Sequence, residues 1–417
     1  MKKAVVYVLL VSMGAMSLAG CQEGSGKEAA KTTLSQTLTA LSPDKKQGRS
    51  KDDQAKDTIN NSAANDYSSS DAPSTGNLEQ PLYLDGDNDW VIFDGTLLRS
   101  DHNGQQWEPV LVDNILSSDQ LLSGYFSSPL TGWVFYWRDD KNKPSLVIAH
   151  TEPDYSMEGK ITPWSTEALP TEEDWETSPD VAVHFFSYEY RPSYALLSSG
   201  PAAGQMMKSL YLSDDHGVNW KRLGNLTSMI KGYPTGISFR SSDVGWISCS
   251  IRGEERIQFY RTKDGGRTWS EQPLPFPEPF QGSGSYAETY APVFDQENDH
   301  HGILFAEFVN DLGKTLVPYE TQDGGETWIP KSPLPEEVKS PPIAGINFLE
   351  MNGWALSADG STLYTINDIN KGWQVIRPSR ELQRASGMYF RGDGSGHVLM
   401  NGHELRTSDG GKTWLAP

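Results

Sequence analysis

Cysteine is almost missing from this chain: two in 417 residues, at positions 21 and 249. A disulfide framework is therefore excluded, and a folded domain has to stand on its apolar core. Positive charge is also short. Lys and Arg total 35 against 55 Asp and Glu, a net charge of −20. A surface this acidic argues against nucleic acid and against charge-driven adhesion to anionic lipid. Long apolar runs are lacking too. The longest, Ala4 to Met16, is too short for an ordinary spanning helix. After residue 80 no amphipathic helical pattern stands out, so the reading for that region is all-β.

A short pattern recurs instead. Thr262-Lys-Asp264-Gly-Gly266-Arg-Thr268-Trp269, Thr321-Gln-Asp323-Gly-Gly325-Glu-Thr327-Trp328 and Thr407-Ser-Asp409-Gly-Gly411-Lys-Thr413-Trp414 are near-identical. Ser213-Asp-Asp215-His-Gly217-Val-Asn-Trp220 keeps the Asp, Gly and Trp, and a copy ending at Trp107 keeps Ser100 and Gly104 but has His102 for the Asp. The Asp suits a turn whose backbone N–H groups it accepts. The second Gly supplies a positive φ, and the Trp buries a large ring. Upstream of each copy lies a run of β-formers: Asp89-Trp90, Gly132-Trp133, Ser193-Tyr194, Gly245-Trp246, Gly302-Ile303, Gly353-Trp354 and Gly396-His397. Each unit thus reads as four strands, with the turn between the third and fourth. Terminal tryptophans at 107, 164, 220, 269, 328, 373 and 414 count seven units. Trp164 and Trp373 lack a good turn motif, with Asp368 and Asn370 as relics of one. Seven four-stranded antiparallel blades make a β-propeller, and six or eight blades also fit the spacing.

The pattern S/T-x-D-x-G-x-T-W resembles the Asp box, or bacterial neuraminidase repeat. Over residues 81–417 the chain is similar to photosystem II stability/assembly factor-like propellers of bacterial lipoproteins and secreted proteins. That resemblance implies a recognition propeller without catalysis. Sialidase-superfamily resemblance implies other activities, and the sequence departs from them. The early F/Y-R-I-P motif of sialidases is missing, and the nearest strings, Phe259-Tyr260-Arg261-Thr262 and Ile376-Arg377-Pro378, fall in the wrong units. Polysaccharide hydrolases of this kind set two carboxylates across a cleft between paired propellers, whereas this chain holds one. Binding or scaffolding of a protein or glycan is the expectation, with glycoside hydrolysis as the alternative.

The N-terminus carries an address. Lys2 and Lys3, the apolar stretch and then Leu18-Ala19-Gly20-Cys21 resemble a lipoprotein signal with its lipobox. The resemblance implies loss of residues 1–20, a lipid on Cys21 and an exported protein anchored to a membrane of the cell envelope. Residues 21–80 are polar, with few large apolar groups, and read as a disordered tether. Residues 81–417 are the propeller.

Sialidase resemblance directs attention to the face opposite the Asp boxes. Two long connections are expected there. Ser165 to Asp180 carries Glu172, Glu173, Asp174 and Trp175; Ser270 to Ala291 carries Phe276, Phe280, Tyr286, Glu288 and Tyr290. Exposed rings beside carboxylates suit a sugar or peptide, and the same rings would otherwise pack down over blade edges. Arg138, Lys141, Arg252, Arg256 and Lys314 would add positive charge to that face. The boxes themselves (Asp215, Gly217, Trp220; Asp264, Gly266, Trp269; Asp323, Gly325, Trp328; Asp409, Gly411, Trp414) read as structural. Each box Asp sits alone, short of the carboxylate-rich loop calcium needs. Glu297, Asp299, His300 and His301 form a poor metal set on the box face. No cofactor, metal or nucleic acid is expected, and the protein reads as a monomer. Cys249 reads as a buried apolar residue in a strand.

Overall fold

The structure is a computed structural model; it describes residues 7–9 and most of 80–416, with 153–162 the longest break within the latter. Cys21, the tether, Lys141, Glu172, Glu173 and Asp174 lie outside the described residues, as does the leader apart from Tyr7–Leu9. Two compact units divide the chain, residues 1–12 with 77–417 and residues 13–76. All that follows concerns the first. Tyr7–Leu9 is a short strand antiparallel to Ile343–Leu349, with Tyr7 opposite Leu349.

Strands follow one another in antiparallel groups, labelled A to G. Group A is Gln80–Tyr83, Asp89–Phe93, Thr96–Ser100 and Glu108–Pro109. Group B is Gln120–Ser128, Thr131–Arg138, Ser145–Thr151 and Ser165–Pro170. Group C is Ala182–Phe186, Ser193–Ser198, Lys208–Ser213 and Lys221–Asn225. Group D is Tyr233–Phe239, Gly245–Ser250, Phe259–Thr262 and Ser270–Glu271. In group E the first strand is interrupted, as Tyr286–Thr289 and Val293–Phe294. Gly302–Asn310, Gly313–Thr321 and Ile329–Pro330 complete it. Group F is Ile343–Leu349, Asn352–Ser357, Leu363–Ile366 and Gln374–Ile376. Group G is Ala385–Phe390, Gly396–Met400 and His403–Thr407, its fourth strand reduced to the bridge between Arg406 and Leu415. D and E touch through one strand pair, Ser250 opposite Glu288. No α-helix occurs among the described residues, and Glu278–Phe280 forms a 3-10 turn.

Apolar clusters fill the spaces between neighbouring groups. Trp90, Phe126 and Trp164 lie between A and B, Trp246, Phe259 and Trp328 between D and E, Trp354, Phe390 and Trp414 between F and G. Leu84 and Val91 of A pack with Tyr389 and Leu399 of G, so the last group packs on the first.

A repeated joint explains this packing. The last Phe of a first strand lies opposite the Gly that opens the second, as with Phe126 and Gly132, Phe239 and Gly245, Phe294 and Gly302, and Phe390 and Gly396. A Cβ on any of these glycines would run into that ring. Held flat there, the ring stacks on an aromatic side chain of the preceding group. The centroid distances are 4.3 Å for Trp90–Phe126, 3.6 Å for Tyr194–Phe239, 4.9 Å for Trp246–Phe294 and 4.7 Å for Trp354–Phe390. Such stacking adds about 0.5–1.5 kcal/mol to each joint beyond area burial. Between B and C, Trp133 stacks on His150 instead and tilts against Phe185. In G the matching position is His397, whose Nδ1 pairs with the buried Glu404.

The turn between third and fourth strands is built by the Thr, Asp and Gly of the motif. In E, Gly325 N–H donates to Thr321 Oγ1 (2.8 Å), whose hydroxyl donates to Asp323 Oδ1 (2.8 Å). Thr327 then donates its N–H (2.9 Å) and hydroxyl (2.6 Å) to the same carboxylate. D and G repeat this set, and C keeps most of it with Ser213 and Asn219. Beneath Gly325, at φ +80°, lies the Trp246 indole of group D, and beneath Gly217 the Trp133 indole of group B. So the turn glycine is required twice, for its backbone and for the ring under it.

Two outcomes follow. Gly325→Ala meets both strain and the indole and should cost about 2–4 kcal/mol, whereas Gly372→Ala (φ +73°, nothing within 4 Å) should cost about 1 kcal/mol. Urea melts of the two variants would separate them, and equal midpoints would contradict the joint. The second concerns acid. Burial would raise the Asp323 carboxyl, but the Thr327 and Thr321 bonds outweigh it and hold the pKa at about 2. A folded-state pKa below the unfolded one gives stability that is present above about pH 4 and lost as pH falls toward 2. Asp323→Asn should therefore flatten the acid limb of a pH–stability curve over that window.

Candidate binding cleft

The turns between third and fourth strands share a face with the turns between first and second, as shown by Gly324 N–H donating to His300 O (2.8 Å) and Gly265 N–H to Asp243 O (2.9 Å). The expected binding face is the opposite one, and there the structure corrects the sequence reading in several places. Ser165–Pro170 is a strand rather than loop, because Leu169 turns inward to the B–C core. Trp175 is buried at 4% exposure and tilts against Trp137 at 6.0 Å. Phe280 is buried and stacks on Phe308 at 4.4 Å, with Phe276 edge-on to the same ring. Tyr286 and Glu288 belong to the first strand of E, and Tyr290 is partly buried against the E–F core. Trp175, Phe276, Phe280 and Tyr290 pack down because each finds an apolar neighbour at a blade edge, while Tyr286 stays half-exposed.

The cations expected there are mostly occupied. Arg138 pairs with Asp119 (2.6 Å), Arg256 with Glu254 (3.4 Å) and Glu271 (3.0 Å), and Lys314 with Glu307 (2.8 Å). Arg252 is exposed. Glu307, strongly buried, has a second carboxylate, Glu288, directly opposite it in the ladder. Burial raises the Glu307 pKa, Lys314 opposes the rise, and Glu288 adds to it. Lys314→Met should strand this charge and cost about 2–4 kcal/mol, with Glu307→Gln in the same chain restoring part of the loss. A double-mutant cycle of melts would measure it.

The open cleft is on the other face, between E and F. It holds about 450 Å³, within the range of ligand pockets (roughly 300–1,000 Å³). His301 and Ile303 line one wall, and residues 367–371 the other. Its origin is local. In B and D the second strand opens Gly-Trp, and that indole fills the space under the next turn glycine; in E it opens Gly302-Ile303. In F the turn is rebuilt as well. Ile366 stands where other units have Thr or Ser, so the hydroxyl that binds the turn is lost, and Asn370 stands where they have Gly. Asn370 N–H donates to Asp368 Oδ1 (3.0 Å), Lys371 N–H to Asp368 O (2.9 Å), and the positive φ moves on to Gly372.

Charges around the cleft are paired. Glu320, buried, accepts from His301 Nε2 (2.8 Å) and Lys331 Nζ (2.6 Å), and Lys371 pairs with Asp368 (3.0 Å). Burial would raise the Glu320 pKa, and the Lys331 and His301 bonds more than reverse it. Lys331 also donates to Asn370 Oδ1 (3.3 Å). Amide, ammonium and carboxylate groups thus rim an isoleucine floor. Sequence reasoning missed this cleft: Asp368 and Asn370 stood out as relics of the turn motif, but Gly302-Ile303 was grouped with the other second strands. Among the described residues no group of three His, Cys, Asp or Glu is placed to hold a metal ion.

Four-stranded antiparallel sheets, each packed on the next and the last on the first, define a β-propeller. The chain belongs to the family described as the DUF6242 beta propeller domain, which matches residues 50–305, more than half its length. That match begins ahead of the first strand of group A. No curated protein matches the chain. Among solved structures it is similar to YCF48 from Cyanidioschyzon merolae at 16% identity, covering 80% of this chain and 96% of that one with a TM-score of 0.47. It is also similar to the GH74 enzyme of Niastella koreensis at 10% identity, covering 79% and 66% with a TM-score of 0.31. At these identities the likeness is one of fold.

Proposed function

We propose that this protein is an exported lipoprotein whose propeller binds a protein or glycan partner at the cell envelope without chemistry of its own. In this reading the repeated turns are Asp boxes, groups A to G are seven blades, Cys21 carries the lipid, and the propeller acts as a monomer. One observation carries the binding assignment: an open cleft on the box face with a mixed polar rim and an apolar floor. Its ionic groups are already neutralised in pairs, Glu320 by His301 and Lys331, Asp368 by Lys371. Such a site suits recognition through hydrogen bonds and contact area better than proton transfer.

Glycoside hydrolysis is the second reading, favoured by the Glu288–Glu307 ladder pair and the raised Glu307 pKa. Hydrolysis needs one carboxyl protonated and one ionised on either side of a sugar. The bond from Lys314 works against a proton on Glu307, which places this reading below binding.

Two measurements separate these ideas. Cys21→Ser should move the protein from the membrane fraction to the soluble one, and unchanged fractionation would remove the lipid anchor. The full chain, incubated with a panel of envelope polysaccharides, should retain some and release no reducing ends. Release that Glu307→Gln abolishes would establish the hydrolase instead.

A further inference from the structure

The cleft between groups E and F occupies a particular place: the space that two other joints fill with the protein's own indole and two more with a leucine, Leu210 under Gly266 and Leu363 under Gly411. Trp133 and Trp246 lie under Gly217 and Gly325, and Trp133 Nε1 donates to Gly217 O at 3.1 Å. The equivalent second-strand residue here is Ile303, several atoms shorter and without a donor. The turn above does not refill the space, since the Asn370 amide swings to Lys331. Trp373, at the end of that turn, has no hydrogen bond on Nε1, as is also true of Trp328 at the end of the intact turn in E, whereas Trp220, Trp269 and Trp414 donate theirs to the turn glycine carbonyl at 2.9–3.0 Å. So this joint, with Ile303 in the position that Trp133 and Trp246 hold at theirs, keeps a cleft where those joints are filled.

We infer that this slot is a docking site for an aromatic side chain, a Trp or Tyr presented on an extended segment of a partner protein. The inference rests on the binding reading above and specifies its ligand. Three observations fit an aromatic side chain. The walls descend from a joint shaped around a ring, with Ile303 and Ile369 as apolar floor. The volume of about 450 Å³ leaves space beside one ring for adjoining backbone. The rim supplies Asn367 and Asn370, whose amides can both donate to and accept from a peptide backbone. An incoming ring would restore the contact that Trp246 makes one joint earlier. Burying one aromatic ring in a preformed pocket is how interface anchors work.

The test uses the full-length chain and two probes, 5-fluoroindole followed by fluorine NMR and the blocked tripeptide acetyl-Gly-Trp-Gly-amide followed by calorimetry. Fluoroindole resonances should broaden on addition of protein, and the tripeptide should bind about tenfold more tightly than the free ring through the rim amides. Ile303→Trp should fill the slot from within, abolish both signals and raise the melting temperature. Asn370→Phe, on an exposed turn, closes the slot from the other wall and serves if Ile303→Trp does not fold. Absence of broadening with the wild-type chain would overturn the inference, as would binding that survives both substitutions. Preference for a cello-oligosaccharide over the tripeptide would also overturn it, in favour of a sugar site. A partner still retained by a well-folded Ile303→Trp protein would sink the slot while leaving the binding propeller standing.

Discussion

Everything in this fold depends on a ring being held flat between two sheets. The opening glycine of a second strand lets the facing Phe lie down on the backbone, and the exposed side of that Phe takes the aromatic residue of the sheet before it. Hydrogen bonds connect strands within a sheet, but nothing in the ladder specifies how sheets meet. The glycine–phenylalanine–aromatic joint does. It explains why a chain without an intramolecular disulfide among its described residues can hold so many thin sheets together, each burying apolar clusters on both sides.

The turn motif serves the same joint from outside. Its Asp binds the Thr before it and the Thr after it, which sets the second Gly over a side chain of the neighbouring sheet, an indole under Gly217 and Gly325 and a leucine under Gly266 and Gly411. Turn and joint are therefore one device seen from two strands. The depressed Asp323 and Asp409 pKa values report the same bonds, since a carboxylate that accepts two N–H or O–H groups has little use for a proton.

Much of this was legible in the sequence, because the joint repeats. The Thr-x-Asp-x-Gly-x-Thr-Trp strings located the turns, and the Gly-Trp strings located the second strands. The loops were harder. Trp175, Phe280 and Tyr290 read as exposed rings beside carboxylates, and their burial depends on blade edges that no local pattern reveals. The cleft on the face of the turns went unread for a related reason. The cleft arises where Ile303, Ile366 and Asn370 break the repeat together, and their coincidence becomes visible only when E and F are set side by side. A lapse in a repeat is a weak signal in one strand and a strong one across a joint.

A regular unit such as D carries half of two different joints, an aromatic residue facing forward (Trp246) and a Phe–Gly pair facing back (Phe239 and Gly245). Gene duplication of a regular unit such as D would deliver a matched pair of halves, so blades of this kind can be gained or lost without redesigning their neighbours. Units E and G are exceptions, with Ile303 and His397 in the forward position. Copying either would copy a mismatch. The evolutionary freedom of this architecture therefore ends at its irregular joints, which fix the order of the units as surely as the regular ones leave it open.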